Sequence, residues 1–347
     1  MTVAGHLTSA VSLLFIAANL AFWLLLAIPT SVLRDLVPGC APRARRWLEG
    51  FYRGAVRVDD FWLERVLGHR FAMPAALPLD PGRTWIVLAN HVSWSDIFLL
   101  QSLLVRHGLV VQFLSKRELL LVPIVGLVLW AFQFPLLRRA TRRGESDEER
   151  KRGDFEALRA ACRRAREDPV ALVCFAEGTR ATPERRAERA SPHRHLLPPR
   201  IGGFAALCDG LGDALAGVVD CTLVYASTAP AVPTPADPAT PADSAASAPP
   251  TASASRTGSA PRPANGISFW AFLSGGVGGG RREHGASGAG GAGPGGIEVV
   301  AELVPAAEIP REREARARWL EARWARKDET IAARLAAHVA ARSGAPR

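Results

Sequence analysis

Trp85-Ile86-Val87-Leu88-Ala89-Asn90-His91-Val92-Ser93-Trp94-Ser95-Asp96 is the stretch on which the reading of this chain turns. Its first five residues are apolar and predict a short buried strand. Asn90 and His91 fall where that strand runs out, at a sheet edge where a site can be built. Five positions separate His91 from Asp96, about 500° on an ideal helix, so the two side chains cannot share a helical face. They can meet if His91 lies on the turn and Asp96 in the first helical turn. An imidazole there can take a proton from a hydroxyl, while a carboxylate on its other nitrogen fixes the tautomer and stabilises the imidazolium. That pair is a general base with its orienter, and a substrate can supply the nucleophile, so neither Ser93 nor Ser95 is needed for that role. These residues also admit a structural reading, because Ser93 and Asp96 form the Ser-x-x-Asp pattern of a helix N-cap and a lone histidine after a strand is usually structural.

A second element bears on the choice. Val170-Ala171-Leu172-Val173-Cys174-Phe175-Ala176-Glu177-Gly178-Thr179-Arg180 is another apolar run that ends in a polar cluster. Gly178 lets backbone approach a ligand closely, Thr179 offers a hydroxyl, and Arg180 offers a planar fork that suits a phosphate. Two strands that end in polar clusters predict one site at the carboxyl end of a sheet.

With both pieces in view the chain resembles the glycerolipid acyltransferases, the family that includes 1-acylglycerol-3-phosphate and lysocardiolipin-type acyltransferases. Asn90 to Asp96 matches the family's Asn-His-x4-Asp motif, and Phe175 to Arg180 matches its Phe-Pro-Glu-Gly-Thr-Arg motif, with Ala176 in place of the proline. Lys116-Arg117-Glu118-Leu119 with Pro123 and Gly126 is similar to its Lys-x-Glu-Leu segment, and Phe134 to Arg139 to its apolar run closed by an arginine. Trp319-Leu320, Trp324 and Lys327-Asp328 look like the tail of the lysocardiolipin-type branch.

The resemblance implies an α/β fold, with a central mixed but mostly parallel sheet flanked by helices and an N-terminal membrane helix. It implies transfer of an acyl group to the free hydroxyl of 1-acyl-sn-glycerol-3-phosphate, giving phosphatidic acid. His91 is then the base and Asp96 its orienter. Arg139, Glu177, Gly178, Thr179 and Arg180 hold the phosphate and glycerol, with Lys116 and Arg200 as further substrate-binding candidates. The expected partners are a lysophospholipid and an acyl thioester, acyl-CoA or acyl-carrier protein, which is a co-substrate; no cofactor is expected. Lysocardiolipin or a lysophosphatidylinositol-like lipid is the alternative acceptor.

The 347 residues carry 43 basic and 33 acidic side chains, a net charge of +10. That excess suits nucleic acid, an anionic membrane face or phosphorylated substrates equally. A nucleic-acid-binding protein would need a basic stripe interleaved with aromatics, whereas here the arginines are spread among acidic residues on amphipathic helices. The five cysteines are odd in number and widely spaced; they read as reduced thiols, and no metal site is expected. His193 and His195 form a His-x-His pair with no third ligand nearby.

From Leu7 to Leu33 there is no charged residue, and a helix over that length, about 40 Å, is enough to cross a bilayer core even if Pro29 ends it early. A signal peptide fits less well, as the segment is long and has no basic start or evident cleavage site. Arg34, Arg43, Arg45, Arg46, Arg53 and Arg57 follow, so charge bias predicts the amino end outside and the catalytic domain on the cytoplasmic face of the bacterial inner membrane. A re-entrant or interfacial helix pair is the alternative.

The organisation expected is a membrane helix over 1–34, a catalytic domain over 35–225, an insertion over 226–296, and a strand and amphipathic helix over 297–340. The insertion is Pro/Ala/Ser-rich, then Gly-rich, and contains an aromatic patch at 268–273 that either packs on the domain or meets the membrane. Within the catalytic domain the periodicity predicts a short helix over Val58–Leu67 and a helix over Glu145–Asp168. Leu119–Leu137, uncharged but broken by Pro123, Gly126 and Pro135, reads as a buried or interfacial helix followed by a strand.

Overall fold

The computed structural model describes residues 2–138, 146–226, 266–275 and 296–343. In chain order its elements are α1 (Val3–Leu36), α2 (Ala41–Phe61, prolonged by a π-helical turn over Trp62–Val66), β1 (Phe71–Ala72), β2 (Thr84–Ala89), α3 (Ser95–Arg106), β3 (Val111–Phe113), β4 (Ser115–Lys116), α4 (Val125–Ala131), β5 (Leu136–Leu137), α5 (Asp147–Glu167), β6 (Ala171–Phe175), α6 (Pro183–Glu188), α7 (Ile201–Leu211), β7 (Leu215–Tyr225), α8 (Phe269–Leu273), β8 (Ile297–Pro305) and α9 (Arg313–Ser343).

Apolar runs without alternation are the signature of strands buried on both faces, and β2, wholly buried, is the clearest of them. It lies inside a six-stranded sheet of order β1-β8-β7-β2-β6-β3. β7, β2, β6 and β3 are parallel, β8 runs antiparallel to β7, and β1 follows β8. This is the mixed, mostly parallel sheet expected. Ala89 stands opposite Phe175 on one side and Cys221 on the other, so β6 and β2 end side by side while β7 runs on past them to Tyr225. β4 and β5 form a separate parallel pair just beyond β3.

Two segments differ from the sequence reading, and a third keeps to it. The helix expected over Val58–Leu67 begins at Ala41; its buried face, Ala44, Leu48, Tyr52, Ala55, Val56 and Asp59, keeps helical spacing through a run of arginines that hides it. Over Leu119–Leu137 the expected helix followed by a strand is present as α4 and β5, after a 3₁₀ turn, with Ile124 at φ 66° marking the break between turn and helix. α1 does not stop at Pro29 but continues to Leu36.

α1 is long and apolar enough to cross a membrane, yet it stays on the body of the protein at both ends. Ser9 donates to the Trp270 carbonyl at 2.8 Å near its start, and Ser31 and Arg34 reach the Ala131 carbonyl, at 3.2 and 2.9 Å, near its end. Between these, Trp62 donates to Ser12 at 3.1 Å and Asn19 donates to the Ala55 carbonyl at 2.9 Å. These contacts fix which face of α1 turns to the domain. The physical reason is a buried polar stripe, Ser9, Ser12, Asn19 and Ser31, whose hydrogen bonds must be made inside protein. A count of charged residues does not register that stripe.

Asn19 also donates to Asp59 Oδ1 at 2.9 Å. Burial is the main cause that pushes the Asp59 carboxyl from 3.8 up to about 7, against the lowering effect of Asn19. The folded state thus favours the protonated acid. Its contribution to stability is fully present below pH 3.8 and declines as pH rises towards about 7. Asp59→Asn keeps an acceptor for Asn19 without the charge, so it should flatten this decline and raise the melting midpoint at pH 8; circular dichroism melts at pH 5 and 8 check it.

The aromatic patch packs on the domain. Phe272 is buried and stacks on His69 at 4.6 Å between ring centres, while Phe269 stacks on Phe98. The Pro/Ala/Ser stretch at 227–265, the glycine run at 276–295 and Arg139 lie outside the described residues.

Candidate active site

His91 leaves β2 at the carboxyl edge of the sheet, on a loop fixed from three directions. Asn90, fully buried, continues the ladder to β7 with its side chain, donating to the Leu223 carbonyl at 3.0 Å and accepting from the Leu223 amide at 2.8 Å. On the other flank the Ala181 amide donates to the His91 carbonyl at 2.7 Å, which ties the loop after β6 to the loop after β2. Above, the His91 ring stacks on Phe175, centres 4.2 Å apart.

The two readings of Ser93 and Asp96 are both met in the structure. Ser93 Oγ accepts from the amide of Ser95, the first residue of α3, at 3.4 Å, and the N-cap residue Trp94 makes no side-chain capping bond. Asp96 is wholly buried, and its carboxylate turns back on the loop. Oδ2 lies 2.8 Å from His91 Nδ1 and accepts from the amides of Val92 at 2.7 Å and Ser93 at 3.0 Å. Oδ1 accepts from the Tyr225 hydroxyl at 2.5 Å. A carboxylate surrounded by amide and phenol donors can only accept from Nδ1, so Nδ1 carries the hydrogen and Nε2 is the lone-pair nitrogen. The His91 side chain keeps 19% of its surface exposed, against none for Asp96, as a base that meets a substrate requires.

The loop after β6 is built differently from expectation. Gly178 takes φ +72°, and the Arg200 side chain lies directly over it, 3.5 Å from where a Cβ would stand. The structure thus brings Arg200, at the start of α7, onto the Glu-Gly-Thr-Arg turn. Glu177, expected to hold substrate, is instead fully buried. Its carboxylate faces the amides of His91 and Leu197 and the indole of Trp324, and burial pushes its pKa well above the usual carboxylate range. Those groups stand outside strict hydrogen-bond geometry, so Glu177 supports the loop from beneath rather than opening on a ligand.

Thr179 Oγ1 accepts from Arg185, and Arg189 donates to the Glu177 carbonyl at 3.1 Å. These two arginines, on and just after α6, sit in a segment that reads as a polar loop in sequence; their alternation with acidic residues masks their approach to Gly178. Lys116 is exposed at the end of β4, beyond β3 and so on the same edge of the sheet. Tyr225, the last residue of β7, is the further site residue that sequence reasoning missed, because it ends an apolar strand and looks like core.

Residues 74–225 match the Acyltransferase family model. The 1-acyl-sn-glycerol-3-phosphate acyltransferase delta of Bos taurus is 29% identical over 162 residues, 44% of this chain and 41% of that protein. The 1-acyl-sn-glycerol-3-phosphate acyltransferase 3 of Arabidopsis thaliana is 27% identical over 157 residues, 42% and 39% of the two chains. The chain thus spans about two fifths of the length of the curated relatives it matches. The crystal structure of the 1-acyl-sn-glycerophosphate (LPA) acyltransferase PlsC from Thermotoga maritima aligns over 93% of this chain and 97% of that one, with a TM-score of 0.48 and 15% identity. The matched residues, 74–225, hold both the Asn-His-x4-Asp loop and the Glu-Gly-Thr-Arg turn, so the segment that is similar to the acyltransferases is the one that carries the site.

Proposed function

We propose that the protein transfers a fatty acyl group from an acyl thioester, acyl-CoA or acyl-carrier protein, to the free hydroxyl of 1-acyl-sn-glycerol-3-phosphate, giving phosphatidic acid. The observation that carries the proposal is a partly exposed imidazole whose Nδ1 lies 2.8 Å from a fully buried carboxylate. His91 Nε2 takes the proton of the acceptor hydroxyl as that oxygen attacks the thioester carbonyl. The tetrahedral intermediate collapses, the carbon–sulfur bond breaks, and the thiolate takes the proton from the imidazolium that Asp96 has stabilised. No acyl-enzyme is required.

Arg180, Arg200 and Arg139 supply cationic forks for the phosphate, Lys116 a further positive charge, and the left-handed Gly178 a close backbone approach. Thr179 positions the turn through Arg185. Leu7, Leu14, Phe22 and Leu25 on the exposed face of α1, with Leu121 and Trp130, give a surface suited to lipid. Such a surface would hold the site at the cytoplasmic leaflet of the bacterial inner membrane.

The test is acyl transfer by detergent-extracted protein with labelled oleoyl-CoA or oleoyl-carrier protein and a panel of lysophospholipids, run beside His91→Ala. Label that enters lysophosphatidic acid only with the wild type is the expected result. Transfer to lysocardiolipin or lysophosphatidylinositol instead would keep the mechanism and change the acceptor, and no transfer to any acceptor would overturn the proposal.

A further inference from the structure

Behind the base and its orienter stands a third side chain. Tyr225 closes β7, two strand residues beyond the point where Asn90 bonds Leu223. It is wholly buried. Its hydroxyl accepts from Ser95 Oγ at 3.2 Å and donates to Asp96 Oδ1 at 2.5 Å. Neither bond can reverse: a carboxylate that serves as acceptor to two amides and an imidazole has no proton to give, and the Ser95 hydroxyl fills the remaining lone-pair side of the phenol. Burial, and the adjacent Asp96, push the phenol well above its ordinary range, so the proton stays on Tyr225.

We infer that Tyr225 is a positioning residue of the acyl-transfer site, one that acts on His91 through Asp96. Asp96 has two oxygens and one χ1–χ2 geometry that serves His91. The amides of Val92 and Ser93 hold Oδ2, and the phenol is the side chain that holds Oδ1. With the phenol in place the carboxylate plane is pinned and part of its charge is drawn towards Oδ1. Without it the carboxylate can turn about its Cβ–Cγ bond, and its full charge falls on the amides and the imidazole.

The other titratable groups around the pair do not substitute for this contact. Glu177 faces the His91 amide from the loop after β6, and Arg180 stands on that loop. Lys327 of α9 lies one layer below, donating to the carbonyls of Leu88 and Cys221 and paired with Asp220. The segment before α8 approaches through Gly266, next to Val92, and its described residues, 266–268, carry no charge.

The inference rests on the acyl-transfer reading, and the experiment separates the two. Tyr225→Phe keeps the ring and loses only the hydroxyl. It should lower kcat about tenfold or more, with KM within about twofold of wild type, since the lost bond is one to a charged group. The acid limb of the pH–rate profile should move to higher pH, because a carboxylate without its phenol donor holds an imidazolium more firmly. The His91 Nδ1 proton resonance should move in the same variant, a readout that needs no turnover. Ser95→Ala, which frees the phenol to rotate but leaves it in place, should act in the same direction by about two- to threefold in kcat. A Tyr225→Phe protein that melts as the wild type does, with unchanged kcat, acid limb and resonance, would overturn the role given to Tyr225. A variant that fails to fold, together with a Ser95→Ala protein identical to wild type in all three, would overturn it too. His91→Ala at the wild-type rate would overturn the acyl-transfer reading itself.

Discussion

Asp96→Asn should lower kcat by about 10³- to 10⁴-fold in a protein that remains folded, a loss as large as that from His91→Ala. The substitution is nearly isosteric, so volume is not the issue. Oδ2 of Asp96 now receives three donors, the amides of Val92 and Ser93 and the Nδ1 of His91, and Oδ1 receives the Tyr225 hydroxyl. An asparagine must place its NH₂ in one of those two positions. In the first it meets two amide donors and drives His91 to the wrong tautomer; in the second it faces the phenol and loses the charge that stabilises the imidazolium. Either way the lone pair on Nε2 or the stability of its protonated form is lost. Steady-state kinetics with saturating acyl donor check the size of the effect, and a loss below tenfold would mean that Asp96 only shapes the loop.

The second large effect concerns stability and lies on the other side of the sheet. Asp220 of β7 is buried between Lys327, with which it forms an ion pair, and Arg323 Nη1 at 3.4 Å. Lys327 is 2% exposed; it also donates to the carbonyls of Cys221 at 2.5 Å and Leu88 at 3.3 Å. Asp220→Ala leaves that ammonium under the sheet with carbonyls and the Trp324 ring for company. Breaking one side of a buried pair costs about 3–5 kcal/mol, whereas replacing both partners with apolar side chains of similar size is close to neutral. Denaturant unfolding should therefore show a deep loss for Asp220→Ala and a partial or full recovery for Asp220→Leu with Lys327→Met.

How much of this was legible in the sequence depends on the kind of signal. Runs such as Trp85–Ala89 and Val170–Phe175 announce interior parallel strands, because nothing polar interrupts them, and two polar clusters at their ends announce one edge. The His91–Asp96 meeting also follows from spacing, once Asp96 is placed in the first turn of α3. Which way the Asp96 carboxylate turns does not follow, since a cap and an orienter use the same residues. Glu177 shows the limit of motif reading: the same Glu-Gly-Thr-Arg letters serve a side chain that binds substrate or one buried under its own loop, and only the position of Trp324, 147 residues later, tells them apart. Tyr225 was hidden for a simpler reason. At the end of an apolar strand a tyrosine looks like core, and its partner is set by the register of β7 on β2. In α1 the hydropathy was legible and the buried polar stripe was not, because serines at helical spacing barely lower the mean hydropathy of so apolar a segment.

α9 closes the back of the site with residues made very late. Trp324 faces Glu177, and Lys327 joins β2 to β7 from below, across sequence separations of 239 and 106 residues. During synthesis at about 5–20 residues per second, a ribosome that has already made every motif residue must continue past position 327 before those two strands acquire their clamp. Contacts of such long range are slow to close. The nascent protein therefore holds an apolar sheet edge and a loose histidine loop for several seconds before that clamp forms. Growing chains interrupted before α9 should behave as aggregation-prone intermediates rather than as weak catalysts.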